Sequence, residues 1–313
     1  MNIKWFFFIF FCLGVIFLSF FIGPTGFIPP GGLGKAIIWE IRAPRVMLAA
    51  FCGAMLAASG ASLQAIFRNP LVDPYLLGLS SGGALGCALS VAFFPWLPVP
   101  LAAFLGASLA AFLTYSLARL EGSASRLALI LSGVIVSAFL MAIVSLIKFL
   151  LDPHRMSEVV LWMMGSFALA RWETVKTTVP FMCVGAAVLV ALRHRLNVLS
   201  LSEEEAKSLG VSVGRERVLI ISAVTLGVGA TVAAAGIIGW VGLMVPHLVR
   251  LSFGPENERV LPASLLAGAA VLVAADTFAR SISSLDLPVG ILTAILGVPF
   301  FVYLLRKARG EWP

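Results

Sequence analysis

Long apolar runs recur along the whole chain and are separated by short polar stretches. The runs are about 20 residues long, which is the length an α-helix needs to cross the hydrocarbon core of a bilayer. About ten of them can be placed, the first near residues 5–23 and the last near 288–305. The pattern therefore predicts an all-α polytopic membrane protein with about ten transmembrane helices, organised as one domain over residues 1–313.

Two apolar segments are too short for a full crossing. Residues 159–170 are only about 12 residues long, and this length favours a re-entrant or interfacial helix. Residues 239–253 are interrupted by Pro246 and His247, and we expect a half-length span that neighbouring helices shield. The other apolar runs are expected to be regular spans.

One long polar island interrupts the apolar pattern at residues 193–217. It contains nine of the 37 charged residues of the chain. Within it, Ser202 and Glu205 have the spacing of a capping box, and acidic residues in a first turn suit the positive end of a helix dipole. Gly210 stands where a left-handed residue ends a helix. The island is thus predicted to form a small helical elbow, with a solvated loop as the alternative.

The charge distribution favours a membrane protein over a nucleic-acid-binding protein. The net charge is +7, but only 12% of residues are charged, and the basic ones punctuate the loops. With the N-terminus inside, the ten-span scheme puts fourteen Lys and Arg on the inner side and eight on the outer. The positive-inside rule then predicts a multi-pass protein of the cytoplasmic (inner) membrane with both termini and the island in the cytoplasm. No A-x-A-like signal-peptide cleavage site follows the first apolar run, so we expect this run to be retained as the first span.

The sequence lacks the common motifs for nucleotide binding, metal binding and catalysis. No P-loop motif and no H-E-x-x-H motif occur, the histidines are isolated, and the four cysteines lie inside apolar runs. We therefore expect a non-enzymatic chain that binds no cofactor and no metal. Asp276 is the best candidate for an ion-coupled carrier, but Arg280 follows four residues later, and an ion pair is the favoured interpretation. A transport channel that a separate soluble motor drives would fit these absences.

Three arginines stand out on the predicted outer side. Arg42 and Arg45 lie three residues apart at the start of the second span, and Arg280 lies at the end of the ninth. Such guanidinium groups could receive carboxylates from a partner protein. Anchoring at the membrane interface is an equally good explanation.

Motifs in both halves of the chain carry a family resemblance. The first half contains Arg42-x-Pro44-Arg45 and Gly60-x-x-x-Gln64-x-x-x-Arg68-Asn69-Pro70-Leu71-x-x-Pro74-x-x-x-Gly78. The second half contains Gly239-x-x-Gly242-Leu243-x-Val245-Pro246-His247-x-x-Arg250, Ala275-Asp276 with Arg280, and Gly297-x-Pro299-x-Phe301. Together these motifs resemble the FecCD family of ABC-importer permeases, which serve iron–siderophore, haem and vitamin B12 uptake.

The resemblance implies a type II importer permease: a homodimer with a pathway at its interface, two ATP-binding subunits that hold ATP and Mg²⁺, and an extracytoplasmic substrate-binding protein. The three arginines would dock the binding protein. The coupling helices would contain Ser202, Glu203, Glu204, Glu205, Ala206, Leu209 and Gly210. The cytoplasmic gate would contain Asn69, Leu71, Ser123, Ala124 and Ser125, where Ala124 replaces an expected hydroxyl residue. Packing and bend roles would fall to Gly239, Gly242, Pro246, His247 and Pro299.

The function expected from this sequence is the permease subunit of a binding-protein-dependent ABC importer. An iron(III)–siderophore complex is the favoured cargo, and haem or a corrinoid is the next candidate. An ion-coupled secondary transporter is the alternative from another class, and a membrane scaffold without transport is the third.

Overall fold

The computed structural model describes residues 3–24, 26–29, 31–119, 125–282 and 286–307. These residues are mostly helical, and the strands among them form one short antiparallel pair, Ile22–Gly23 with Gly26–Phe27. The first seven helices are α1 Ile3–Ser19, α2 Leu33–Ala36, α3 Ala43–Phe67, α4 Leu79–Phe93, α5 Val99–Ala118, α6 Arg126–Leu150 and α7 Pro153–Met163. The others are α8 Trp172–Ala191, α9 Arg193–Leu199, α10 Glu203–Ser208, α11 Val213–Ala235, α12 Val241–Phe253, α13 Asn257–Ile282 and α14 Val289–Lys307.

Six helical stretches in the described part of the chain are long and apolar enough to cross a membrane. They are Gly34–Phe67, Val99–Ala118, Arg126–Leu150, Trp172–Ala191, Val213–Ala235 and Asn257–Ile282. The first joins α2 to α3 through a π-helical segment, Ile37–Arg42. Four shorter apolar helices accompany them, α1, α4, α12 and the first part of α14. The structure thus confirms a polytopic helical protein, while the number of ten crossings stays a prediction.

Helix α3 lies at the centre of the bundle, where it packs mainly against α13, α12, α8 and α11. Small residues recur every four positions along one face of this helix, at Ala49, Gly53, Ala57 and Ala61. A side chain at Gly53 would overlap the backbone of Gly268 on α13, and one at Gly268 would meet Ala57. Similarly, a side chain at Gly82 on α4 would overlap the backbone of α5. Small residues therefore set the closest helix approaches, as they commonly do in membrane bundles.

The predicted short helix at residues 159–170 is placed wrongly. Helix α7 starts at Pro153 because Asp152 caps it, accepting hydrogen bonds from the N–H groups of His154 (3.0 Å) and Arg155 (3.1 Å). These N–H donors also lower the pKa of the Asp152 carboxyl. The helix ends near Gly165, which has a φ of +68°. The apolar pattern gave the wrong boundaries because a local cap, rather than hydropathy, sets where the helix begins.

The predicted break at Pro246 does not occur. Helix α12 runs through this residue from Val241 to Phe253. Proline has no N–H and leaves the carbonyl four residues earlier, that of Gly242, without its helical donor. The side-chain Nε2 of Gln64 on α3 donates to that carbonyl at 3.4 Å. A contact from a neighbouring helix therefore supplies what the proline removes.

Candidate transport surfaces at the two ends of the bundle

The polar island at residues 193–217 forms the predicted elbow, built from α9 and α10. The capping box is present: the Glu205 N–H donates to Ser202 Oγ (3.1 Å), and the Ser202 N–H donates to Glu205 Oε2 (2.8 Å). The hydroxyl and N–H of Ser202 also lower the pKa of the Glu205 carboxyl. Gly210 has a φ of +76°, which is the left-handed conformation expected at this helix end. The local prediction is confirmed.

The elbow presents a mixed surface. Ala206 is buried and anchors α10, whereas Glu204, Lys207 and Leu209 are exposed. Leu209 is 60% exposed although it lies in a polar segment. A short capped helix with one prominent apolar side chain is suited to seat in a complementary groove of another protein.

Ion pairs and hydrogen bonds fix the elbow to the long helices. Arg217 on α11 donates to Glu203 at 2.7 Å, which lowers the pKa of the Glu203 carboxyl. Asn197 on α9 accepts from the N–H of Asn257, the first residue of α13, at 2.8 Å. Helix α10 is thus linked directly to α11, and α9 links the elbow to α13. The carboxylate of Glu203 pairs with Arg217 and that of Glu205 bonds Ser202, whereas Glu204 is exposed.

The predicted gate segments lie beside each other at this same end. Asn69 Oδ1 accepts from the N–H of Leu71 at 2.9 Å, and Leu71 is 47% exposed. Ser125 caps α6 by accepting from the Ala128 N–H at 3.1 Å. Arg126 Nε then donates to the Ile66 carbonyl at 3.0 Å, joining the start of α6 to the end of α3. The other two predicted gate residues, Ser123 and Ala124, lie outside the described residues.

The three predicted docking arginines converge at the opposite end of α3, some 37 Å away by the rise of a 25-residue helix. Arg45 binds both carboxylate oxygens of Asp276 through Nε (3.0 Å) and contacts it again through Nη2 (2.9 Å). Arg280 Nε lies 3.9 Å from the same carboxylate, which confirms the predicted i,i+4 pair. Sequence spacing missed the closer partner, Arg45, because it is 231 residues distant.

This arginine cluster consists of Arg42, Arg45, Asp276, Arg280 and Asp286. Arg42 and Arg280 are 4% and 3% exposed, and each donates to a backbone carbonyl at the C-terminal end of α1. Arg45 Nη1 contacts the 42% exposed Asp286 at 3.1 Å. The cluster therefore contains three cations and two carboxylates, and the carboxylates contact Arg45 and Arg280. Docking stays a prediction for these arginines, and their present contacts hold α1, α3 and α13 together.

The remaining motif residues meet where α3 crosses α12. A side chain at Gly60 would overlap the Gly242 carbonyl, and Gln64 bonds that carbonyl as described above. Arg250 donates to Gln64 Oε1, so the two distant motifs form one cluster. Pro246 is buried in α12.

The other three predicted packing residues are less enclosed. His247 is half-buried, and Pro299 lies inside α14 and is exposed. A side chain at Gly239 would meet no atom within 4 Å. Within the described residues there is no group of three His, Cys, Asp or Glu that could hold a metal ion.

A bundle of apolar helices with a capped polar elbow at one end is the architecture of a polytopic membrane protein. A profile described as the FecCD transport family matches residues 5–307. The chain therefore belongs to the FecCD transport family, and it is a multi-pass membrane permease subunit of an ABC importer.

Similar proteins agree with this assignment. The "Probable iron chelatin transport system permease protein" of Helicobacter pylori is 44% identical, over 88% of this chain and 83% of that protein. The "Cobalamin import system permease protein BtuC" of Halobacterium salinarum is also 44% identical, over 87% of this chain and 74% of that protein. A solved structure described as "An inward-facing conformation of a putative metal-chelate type ABC transporter" matches with a TM-score of 0.89 and 37% identity. The match covers 96% of this chain and 98% of that one.

Proposed function

We propose that this chain forms the translocation pathway for a metal chelate, with an iron(III)–siderophore complex as the favoured cargo and haem or a corrinoid as alternatives. The observation that carries the proposal is the family match over nearly the whole chain together with the capped elbow. Two relatives of equal identity are named for different cargoes, an iron chelatin and cobalamin. Overall identity therefore does not select the cargo, and we rank the siderophore first on the sequence alone.

The elbow would couple transport to ATP hydrolysis in a partner. In this proposal two copies of the chain form a homodimer, and two ATP-binding subunits, which hold ATP and Mg²⁺, press on α10. The Arg217–Glu203 ion pair and the Asn197–Asn257 hydrogen bond would pass the displacement to α11 and α13. The exposed side chain of Leu71 would then move with the end of α3 as part of the gate.

The arginine cluster would face an extracytoplasmic binding protein. Its three cations outnumber its two carboxylates, so the excess positive charge would attract an acidic residue of a partner. In this proposal the elbow lies in the cytoplasm, and both termini lie on the same side of the inner membrane. Arg42 and Arg280 would have to become more exposed before they could take part in direct contacts.

Reconstitution tests the proposal. The chain, its ATPase and its binding protein are placed in liposomes, and uptake of a labelled chelate is measured with and without ATP. We expect uptake only with all three components and ATP, and a binding screen of the binding protein against siderophores, haem and corrinoids would identify the cargo. Uptake that persists without the ATPase and collapses with an ion gradient would instead establish a secondary carrier.

A further inference from the structure

A polar pocket lies beside the elbow at the end of α3. Its volume is about 260 Å³. Its polar lining residues come from α3, the segment after it, the end of α9, α12 and the start of α13. They are Gln64, Arg68, Asn69, Ser200, Arg250 and Asn257.

The pocket is rich in hydrogen-bond donors and has no anion of its own. Among the described residues, neither Arg68 nor Arg250 has an ion pair with Asp or Glu within 4.0 Å. Arg250 is half-buried, and its hydrogen bonds go to neutral groups, Gln64 Oε1 and the Ala61 carbonyl. Asn257 begins the 26-residue helix α13, whose positive dipole end adds to the potential.

The pocket is continuous with the predicted coupling surface. Asn257 Nδ2 donates to Ser200 Oγ at 3.4 Å, and the capped helix α10 starts three residues after Ser200. The charge of Arg68 is also one of the causes that lower the pKa of Glu205 in the capping box. A partner seated on α10 would therefore cover the pocket as well.

Exposed leucines around the pocket favour a protein as that partner. Leu71 follows the pocket residues Asn69 and Pro70, Leu201 follows Ser200, and Leu209 ends α10. They are 47%, 42% and 60% exposed. All three lie in polar connecting segments rather than on the apolar spans, so contact with lipid hydrocarbon does not explain them. Exposed apolar side chains beside polar ones are typical of a protein interface.

We propose that the pocket between Arg68 and Arg250 receives an acidic side chain of the ATP-hydrolysing subunit, so that this side chain and the leucines form a second contact beside the coupling helix. The inference rests on the proposed function. A planar guanidinium pairs with a carboxylate through two parallel hydrogen bonds. Covering the two cations without a compensating anion would leave their charges desolvated, which is strongly unfavourable.

Cross-linking tests this contact in the intact complex. A carbodiimide joins a lysine amine to a carboxylate and does not react with arginine, so Arg68→Lys introduces a reporter at the pocket. The nearby Lys207 is changed to Arg in the same background to remove a competing amine. We expect mass spectrometry to find position 68 joined to an Asp or Glu of the ATPase, and no such adduct with Arg68→Gln. Absence of the adduct in a complex that still forms would overturn the inference.

Affinity gives an independent readout. Arg68→Gln should weaken binding of the ATPase to the permease at least tenfold, whereas Arg259→Gln, at an exposed arginine of the same end, should change it less than twofold. Equal effects of the two variants would contradict the pocket. Stabilisation of the isolated permease by inorganic phosphate or anionic-lipid vesicles, absent from Arg68→Gln and without any cross-link, would show a phosphate site instead. Failure of the unaltered chain to bind any ATPase would refute the proposed function itself.

Discussion

The buried carboxylate of Asp276 gives the sharpest stability prediction. It is 1% exposed and is contacted by Arg45 and Arg280. Asp276→Ala removes the anion and leaves both guanidinium groups in the protein interior. Breaking a buried ion pair from one side costs about 3–5 kcal/mol, because the remaining charge is uncompensated. We expect a loss of that size in the free energy of unfolding.

Asp286 provides the matched control. It contacts the same arginine, Arg45, but its side chain is 42% exposed. Solvent screens such a pair, and exposed ion pairs contribute about 0–1 kcal/mol. Asp286→Ala should therefore have a small effect, although both variants remove one carboxylate from the cluster.

Unfolding of the purified permease in detergent, followed by tryptophan fluorescence as a denaturing detergent is added, measures both values. A double-mutant cycle with Arg45→Met then separates the Arg45–Asp276 interaction from the cost of the unpaired charge. Equal destabilisation by Asp276→Ala and Asp286→Ala would refute the reasoning, since burial would then have no influence on the cost.

Three further predictions concern the helix crossing and the elbow. Gly60→Ala should destabilise the protein by about 1–3 kcal/mol, because the added methyl group overlaps the α12 backbone. Gly14→Ala is the control, since its methyl group would meet no atom within 4 Å, and it should be neutral or stabilising. Equal unfolding curves for the two variants would contradict this prediction. Gln64→Leu leaves the Gly242 carbonyl and Arg250 without their hydrogen-bond partner and should destabilise the protein by about 1–3 kcal/mol. Gln64→Glu keeps an acceptor for Arg250 and should therefore destabilise it less. A Leu variant as stable as the unaltered chain would disprove the linkage. Ser202→Ala should increase hydrogen exchange in α10, consistent with a cap worth about 1 kcal/mol, and unchanged exchange would show that the cap is dispensable.

The capping box also predicts a pH dependence with a definite sign. The pKa of Glu205 lies below its ordinary value in the folded elbow, so its contribution is present above the unfolded pKa and disappears as the pH falls through the folded one. Hydrogen-exchange protection of α10, corrected for intrinsic rates, should therefore be constant between about pH 5 and 8 and decrease below about pH 4. The Ser202→Ala variant should show a weaker dependence. A loss of protection beginning near neutral pH would contradict this assignment.

Sequence alone predicted those features that depend on residues close together in the chain. Ser202 and Glu205 are three residues apart, and Gly210 ends the same short helix, so the capped elbow follows from local chemistry. Apolar run length likewise predicted the helical membrane class, because backbone groups in hydrocarbon must be satisfied within one helix. Local rules were insufficient even at short range for α7, where Asp152, rather than hydropathy, set the start.

Only the tertiary structure decided which distant side chains meet. Arg45 pairs with Asp276, 231 positions away in the sequence. Gln64 donates to the Gly242 carbonyl of α12, 178 positions away. Sequence spacing favoured Arg280 as the partner of Asp276 because both residues lie on the same helix. Packing of α3 against α13 brings Arg45 closer. The pocket between Arg68 and Arg250 arises in the same way. Helix propensity and hydropathy act along the chain, but burial and charge compensation depend on which helix faces pack together.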